Sequence, residues 1–512
     1  MGKKATGDLT VGNVIRVAAT RYRNREAIFC SATGRRFSYL QLNERTNGLA
    51  NGLMGLGLRK GNVAAFLCTN RAEILEIYGA LAKTGVIGIP LNYRLAPAEM
   101  IELMAHGEAQ ALLFDPWFGE IAAQVRDKLP QVRHFVGMGD DIPRFATDYE
   151  ELVNGSSRDE PKVEISEEDY MYMNLTSGTT GLPKSYLLTQ YNNAAAIPLM
   201  TAYHDVTRED VVLTAFPIFG RVGVAWCICS AFAGARNVIH QFNLKEILGL
   251  MESERVTISN WVPTMAAFVL SLPDVDTYDL SSLRALVFAA APLTSALQQE
   301  VKKRLCPNIY EYYGLQETGI LVNIGPEGKE RKPASVGQVA FSADVRIVDS
   351  AGNDVPQGEV GEIIGRAPSA TAAYFKDEER TRQAFKNGWF HTGDLGWFDE
   401  EGFLYLTGRS KDMIISGGQN VFSVEVEDTL MSHPAVAECA VIGLPDDTWG
   451  ERVTAVVVRA TGAHFSEEEI IAHCREKLAG FKTPKQIIWT DEQLPRTPTG
   501  KVKKFILVEK YS

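Results

Sequence analysis

The sequence predicts an α/β protein: a large N-terminal domain of two mixed or parallel sheets with flanking helices, a β-rich subdomain, and a small α/β C-terminal domain. Three observations predict it. Short apolar runs alternate with amphipathic stretches through the first 160 residues and again in mid-chain, the rhythm of parallel strands covered by helices. After about residue 335, strand-like stretches are separated by Gly-rich turns. Beyond GRSKDMI (408–414) comes another compact run of helix and strand patterns. The expected domains are therefore 1–410, with a β-rich part at about 335–408, and 411–512. That division suits 512 residues, since a domain usually takes about 100–200.

The elements follow in order. Residues 37–58 read as a short strand leading into an amphipathic helix, 62–68 as a buried strand, 73–86 as a helix and 87–92 as a strand. VTISNWVP (256–263) and LRALVFAAAPL (283–293) repeat the apolar strand pattern. DVRIVD (344–349) and GEIIGR (361–366) are strands between the turns DSAGND and PQGEVGE. The last part reads as helix 424–433, strands 437–444 and 454–460, helix 466–479 and strand 485–490. The apolar stretch 213–235 contains Pro217, Arg221 and several glycines, which makes it a buried core segment rather than a membrane span.

Composition narrows the function. The net charge of −11 and pI near 5.4 give no global attraction to nucleic acid or anionic membrane. Seven scattered cysteines fit free thiols in a reducing, cytoplasmic setting, and Cys227-x-Cys229 with no second pair is a poor zinc pattern. The expected partners are small molecules, with no nucleic acid, no integral membrane association, and a monomeric or homodimeric chain.

Five stretches carry chemistry. Thr176-Ser177-Gly178-Thr179-Thr180-Gly181-Leu182-Pro183-Lys184 combines turning glycines, hydroxyl donors and a cation, which is what a polyphosphate requires. Its spacing is not that of a Walker A loop, and alone it could be a polar surface loop. YEYYGLQET (310–318) places a tyrosine beside a glycine and offers Glu317 as a hard oxygen ligand, although Tyr-rich segments are commonly core. WFHTGDLG (389–396) and Gly408-Arg409 offer a carboxylate, Asp394, for ribose hydroxyls and a guanidinium fork; singly these would be a turn and a surface arginine. SGGQN (416–420) reads as a flexible loop. PRTPTGKVKK (495–504) reads as a shaped loop presenting Lys501, within a stretch where 496–511 holds five basic residues and one acidic.

In this order along one chain, the five stretches closely resemble the adenylate-forming superfamily of acyl-CoA synthetases, adenylation domains and firefly luciferase, from about residue 12 to 505. The resemblance implies a carboxylate–CoA ligase: acyl-AMP and pyrophosphate form from ATP·Mg²⁺, then a thiol displaces AMP. It implies ATP, Mg²⁺ and coenzyme A as cofactors. Thr176–Lys184 would hold the phosphates, Lys184 and Lys501 would act in catalysis, and Glu317 would bind the metal. Tyr313 would stack on adenine near Ala290, Ala291 and Pro292, with Glu311, Tyr312, Gly314 and Gln316 also bordering the nucleotide. Asp394 and Arg409 would hold the ribose. A mobile C-terminal domain would turn about a hinge at Lys411, bringing Gly417 and Gly418 to a pantetheine tunnel.

The resemblance also places the acyl pocket at Phe219, Gly220, Trp226, Trp261 and Phe288, which with several alanines suit a short-to-medium fatty, alicyclic or aromatic acid. Residues 215–230 contain no acidic residue to bind an amino group. Arg221 is read as pointing to solvent or pairing with an acid, or alternatively as binding a second carboxylate. Several positions depart from the family pattern: Ser185 for glycine, Gln190 for histidine, Gln316 for threonine, Ser423 for proline, and Gly220 for a gating histidine, which would open the pocket. An acyl-AMP ligase loading a carrier protein, and a catalytically impaired nucleotide-binding homologue, are the alternatives.

Overall fold

The computed structural model describes residues 8–512 except 177–183, 292, 447, 461, 463, 464 and 497–501, and only the backbone at 175, 176 and 184. Two large sheets form the body. In the first, the strands Ile309–Leu315, Ala285–Phe288, Ile258–Trp261, Val211–Thr214, Arg236–Ile239 and Glu26–Cys30 run parallel in that spatial order. Antiparallel strands close both edges. The second sheet orders Thr147–Asp148, His134–Gly137, Ala111–Phe114, Val63–Leu67, Ile87–Pro90 and Tyr170–Thr176 in parallel, with Lys184–Thr189 antiparallel at the edge.

Helices bury both sheets because their strands are apolar on both faces. One core, between the sheets, gathers Val212, Val287, Tyr312 and Ile258 with Tyr78, Tyr172 and Trp226. A second, on the outer face of the first sheet, gathers Leu213, Trp261, Leu286 and Phe288. Within the strand Ala285–Phe288, successive residues fall into alternate cores, as the two-residue period of a strand demands. The helix Tyr39–Gly55 starts at a capping box in which Ser38 and Gln41 exchange hydrogen bonds.

Asn70, only 1% exposed, joins the body to the loop before the helix Arg221–Ala233. Its amide donates to Phe216 O at 2.9 Å and His240 O at 3.0 Å, and its oxygen accepts from Ile218 N at 2.9 Å. A third, wholly antiparallel sheet holds Asp344–Val348, Gly361–Arg366, Trp389–Phe398, Phe385–Lys386 and Leu404–Arg409. A fourth lies between Ile414 and Thr490, with its own apolar cluster under the helices Ser423–Met431 and Glu467–Lys477. All seven cysteines are free, and no helix among the described residues is long and apolar enough to cross a membrane.

Candidate active site

The parallel strands of the first sheet end at Phe288 and Leu315, and the site residues collect there, where open α/β sheets bind ligands. Three of them form a continuous polar corner. Antiparallel register sets Asp394 opposite Arg409. Arg409 Nε lies 3.0 Å from Asp394 Oδ1, and the Tyr313 hydroxyl donates to Oδ2 at 2.8 Å. Burial and the Asp394 charge push the Tyr313 phenol well above the ordinary tyrosine range, so it stays a donor. The Asp394 carboxylate retains further lone pairs for ribose hydroxyls. A register shift after Leu395 and the left-handed Gly393 (φ 69°) kink this strand at the corner.

Gly314 turns the neighbouring strand back on itself. A Cβ there would lie 1.9 Å from Gly319 O, so no side chain fits. The turn delivers Glu317, which is 7% exposed. Tyr374 donates its hydroxyl to Glu317 Oε1 at 2.8 Å, and Thr371 N donates to Glu317 O at 2.8 Å. Oε2 makes no hydrogen bond with a described residue. A lone hard oxygen suits Mg²⁺, which usually takes one or two carboxylates and completes its shell with water and phosphate oxygens. No cluster of three or more metal-ligating side chains occurs among the described residues. Gln316 Oε1 accepts from Asn174 and Tyr186 at 3.4 Å each. Ala290, which with Ala291 follows the end of its strand, holds a left-handed φ of 71°, a strained backbone for alanine.

Other predicted residues fall elsewhere. Trp261 and Phe288 are 0% exposed in the outer core, on the sheet face opposite Trp226 and Tyr312. They pack in the outer core with Phe216 and Met265, as strand alternation dictates. Trp226 and Tyr312 share the inner face with His204, whose ring lies 5.0 Å and 6.1 Å from theirs. Phe219 packs edge-on against Tyr93 at 5.3 Å. At Gly220 a Cβ would meet only Pro217 O, at 3.4 Å, so the position is open to a side chain. Glu311 is committed to a buried ion pair with Lys329 at 2.6 Å. Arg221, 7% exposed, does not face solvent and pairs with no acid among the described residues; Nη1 donates to Gln316 O at 2.6 Å and Nη2 to Ser369 O.

The stretch SGGQN is not a loose loop. It is a two-residue hairpin turn between Ile414–Ser416 and Gln419–Val421, with Gly417 (φ 60°) and Gly418 (φ 76°) both left-handed. Lys411 is exposed in the short turn Ser410–Asp412 between the third and fourth sheets. Ser177, Gly178, Thr179, Thr180, Gly181, Pro292 and Lys501 lie outside the described residues, as do the side chains of Thr176 and Lys184.

The family departures acquire local reasons. Gln190, fully buried, accepts from Val11 N and donates to Ala82 O, both at 3.1 Å. Ser185 Oγ lies 3.2 Å from His106 Nε2, and Ser423 Oγ accepts from Lys504 Nζ at 2.7 Å. Tyr374, Thr371 and Asn70 were not singled out in the sequence, because nothing in their local context marks a residue that acts on a segment far away in the chain.

A phenol–carboxylate–guanidinium corner beside a lone metal-ready carboxylate, carried by two large sheets and a small C-terminal domain, defines an adenylate-forming ligase. The chain belongs to the AMP-binding enzyme family: residues 15–375 match the AMP-binding enzyme domain and 425–501 its C-terminal domain. It is 33% identical over 507 residues to the long-chain-fatty-acid–CoA ligase FadD13 of Mycobacterium tuberculosis, covering 98% of each chain. It is 34% identical to the feruloyl-CoA synthase of an Amycolatopsis species, over 92% of this chain and 93% of the other. Among solved structures, the anthranilate CoA ligase AuaEII in complex with anthranoyl-AMP superposes with a TM-score of 0.92 at 28% identity, over 98% of this chain and 97% of that one. The protein is an AMP-forming acid–CoA ligase using ATP, Mg²⁺ and CoA.

Proposed function

We propose that this ligase activates an apolar monocarboxylic acid, whether a short-to-medium fatty, alicyclic or aromatic one. The observation that carries this reading is the commitment of Arg221 to two backbone carbonyls. Residues 215–230 hold no acidic side chain and no other basic one, so nothing charged from this stretch is left to bind a second carboxylate or an amine. Relatives named for a long-chain fatty acid and for feruloyl-CoA fit a monocarboxylate, while one named for 2-succinylbenzoate, a diacid, at 32% identity makes the dicarboxylic arm of the test necessary.

In this reading Tyr313 borders the adenine, while Asp394 and Arg409 hold the ribose. Glu317 is the metal ligand, and Mg²⁺ offsets phosphate charge where two anions must meet. The acid's carboxylate oxygen bonds to the α-phosphorus of ATP and pyrophosphate leaves. The CoA thiol then attacks the acyl carbon and AMP leaves. The roles of Thr176–Lys184 and Lys501 rest on the family resemblance, as does a hinge at Lys411 between domains 1–410 and 411–512. CoA-dependent AMP release across fatty, aromatic, alicyclic and dicarboxylic acids tests the substrate class. Monocarboxylates are expected to dominate, and a preference for diacids overturns the proposal.

A further inference from the structure

Arg221 opens the helix Arg221–Ala233, and its buried guanidinium bonds carbonyl oxygens rather than any carboxylate of the described residues. Withdrawing such a charge from water is costly, so what it holds in return matters. The two carbonyls belong to two segments that meet at Glu317. Gln316 O immediately precedes Glu317. Ser369 O begins a stretch that wraps the same turn: Ser369 Oγ donates to Thr318 O at 2.7 Å, Thr371 N to Glu317 O at 2.8 Å, and Tyr374 OH to Glu317 Oε1 at 2.8 Å. A Cβ at the left-handed Gly319 would come within 3.2 Å of Arg221 Nη2 and 2.7 Å of Ser369 Oγ, so the guanidinium is packed tightly against the turn.

We propose that Arg221 is a positioning residue for Glu317: its planar fork bridges the 316–319 turn and the 369–374 stretch, so that both hold the Glu317 carboxylate with Oε2 turned to the nucleotide-bound Mg²⁺. The inference rests on the reading of Glu317 as metal ligand. A lysine, with a single point of charge on a flexible stem, reproduces the bridge only in part.

The test is Mn²⁺ affinity of the full-length enzyme bound to α,β-methylene-ATP, read by electron paramagnetic resonance, alongside metal-free AMP binding by calorimetry. Arg221→Met is expected to weaken Mn²⁺ about tenfold and to leave AMP affinity within about twofold, the size of effect that removing a residue behind a metal ligand produces. Arg221→Lys falls between Arg221→Met and the wild type. Tyr374→Phe, which frees Oε1, weakens Mn²⁺ about threefold, as expected for one hydrogen bond. Wild-type Mn²⁺ affinity in Arg221→Met, with weakened affinity in Glu317→Gln, overturns the positioning role alone. Parallel loss of AMP and Mn²⁺ binding in Arg221→Met overturns it in favour of a general structural role. Unchanged Mn²⁺ affinity in Glu317→Gln overturns the metal reading and the positioning role together. If Arg221→Met does not fold, Arg221→Lys decides: it must weaken Mn²⁺ and spare AMP.

Discussion

The corner around Asp394 rests on strand register, whereas the corner around Glu317 rests on single hydrogen bonds, mostly from side chains, drawn from distant segments. Asp394 and Arg409 face each other because two adjacent antiparallel strands pair there, and the pairing would place them together with little outside help. The Glu317 turn is held by the Arg221 guanidinium on Gln316 O, the Thr371 backbone N–H on Glu317 O and the Tyr374 hydroxyl on Glu317 Oε1, none of them from a sheet neighbour. The difference teaches where each corner should fail. Register is protected by a ladder of backbone bonds, while a side-chain clamp fails when one member is removed.

The strand Ile309–Leu315 serves both corners, through Tyr313 and through the turn at Gly314. The largest effect is therefore expected from Gly314→Ala. Its Cβ would sit 1.9 Å from Gly319 O, and the overlap should cost about 4 kcal/mol or the folded state itself. Urea unfolding and soluble yield measure it; a stable, active variant would show that the two corners do not share this turn.

A pH effect comes next. His204, 1% exposed beneath this strand beside Tyr310 and Tyr312, donates from Nδ1 to Met200 O at 2.8 Å, and burial lowers its pKa from 6.5 to about 4. With a depressed folded-state pKa, the stabilisation is intact above pH 6.5. It is lost as the pH falls towards 4, because only the unfolded chain takes up the proton; the total is about 3 kcal/mol. Urea midpoints at several pH values should show this slope, and His204→Gln should flatten it. Both corners should weaken together as the shared strand loosens.

Asp394→Asn is expected to lower AMP affinity about 10- to 100-fold, as loss of a charged hydrogen-bond partner does, and to leave Mn²⁺ affinity unchanged. Loss of both would erase the distinction between the corners. The smallest effect is expected from Ala290→Gly. Relieving the left-handed alanine should stabilise the protein by about 1 kcal/mol in thermal unfolding.

Much of the fold was legible. The runs at 62–68, 256–263, 344–349 and 361–366 contain strands, and the stretches at 73–86 and 466–479 contain helices, because burial imposes a period that composition reveals. That Trp261 and Phe288 lie in the outer core of the first sheet was not legible, since an apolar strand buried on both faces does not declare which face looks inward. SGGQN was misread as loose, since paired glycines serve flexible loops and tight hairpin turns alike, and only the flanking strands distinguish them.

By itself the sequence determined the class of enzyme and the order of its motifs, because each motif is a short run whose backbone and donors act locally. Only the tertiary structure decided that Arg221 serves carbonyls, that Glu311 belongs to Lys329, and that Tyr374 reaches Glu317. A buried charge takes whichever partner the packed segments bring within hydrogen-bond reach, and that geometry exists only once the sheets, the turn and the 369–374 stretch have closed around it.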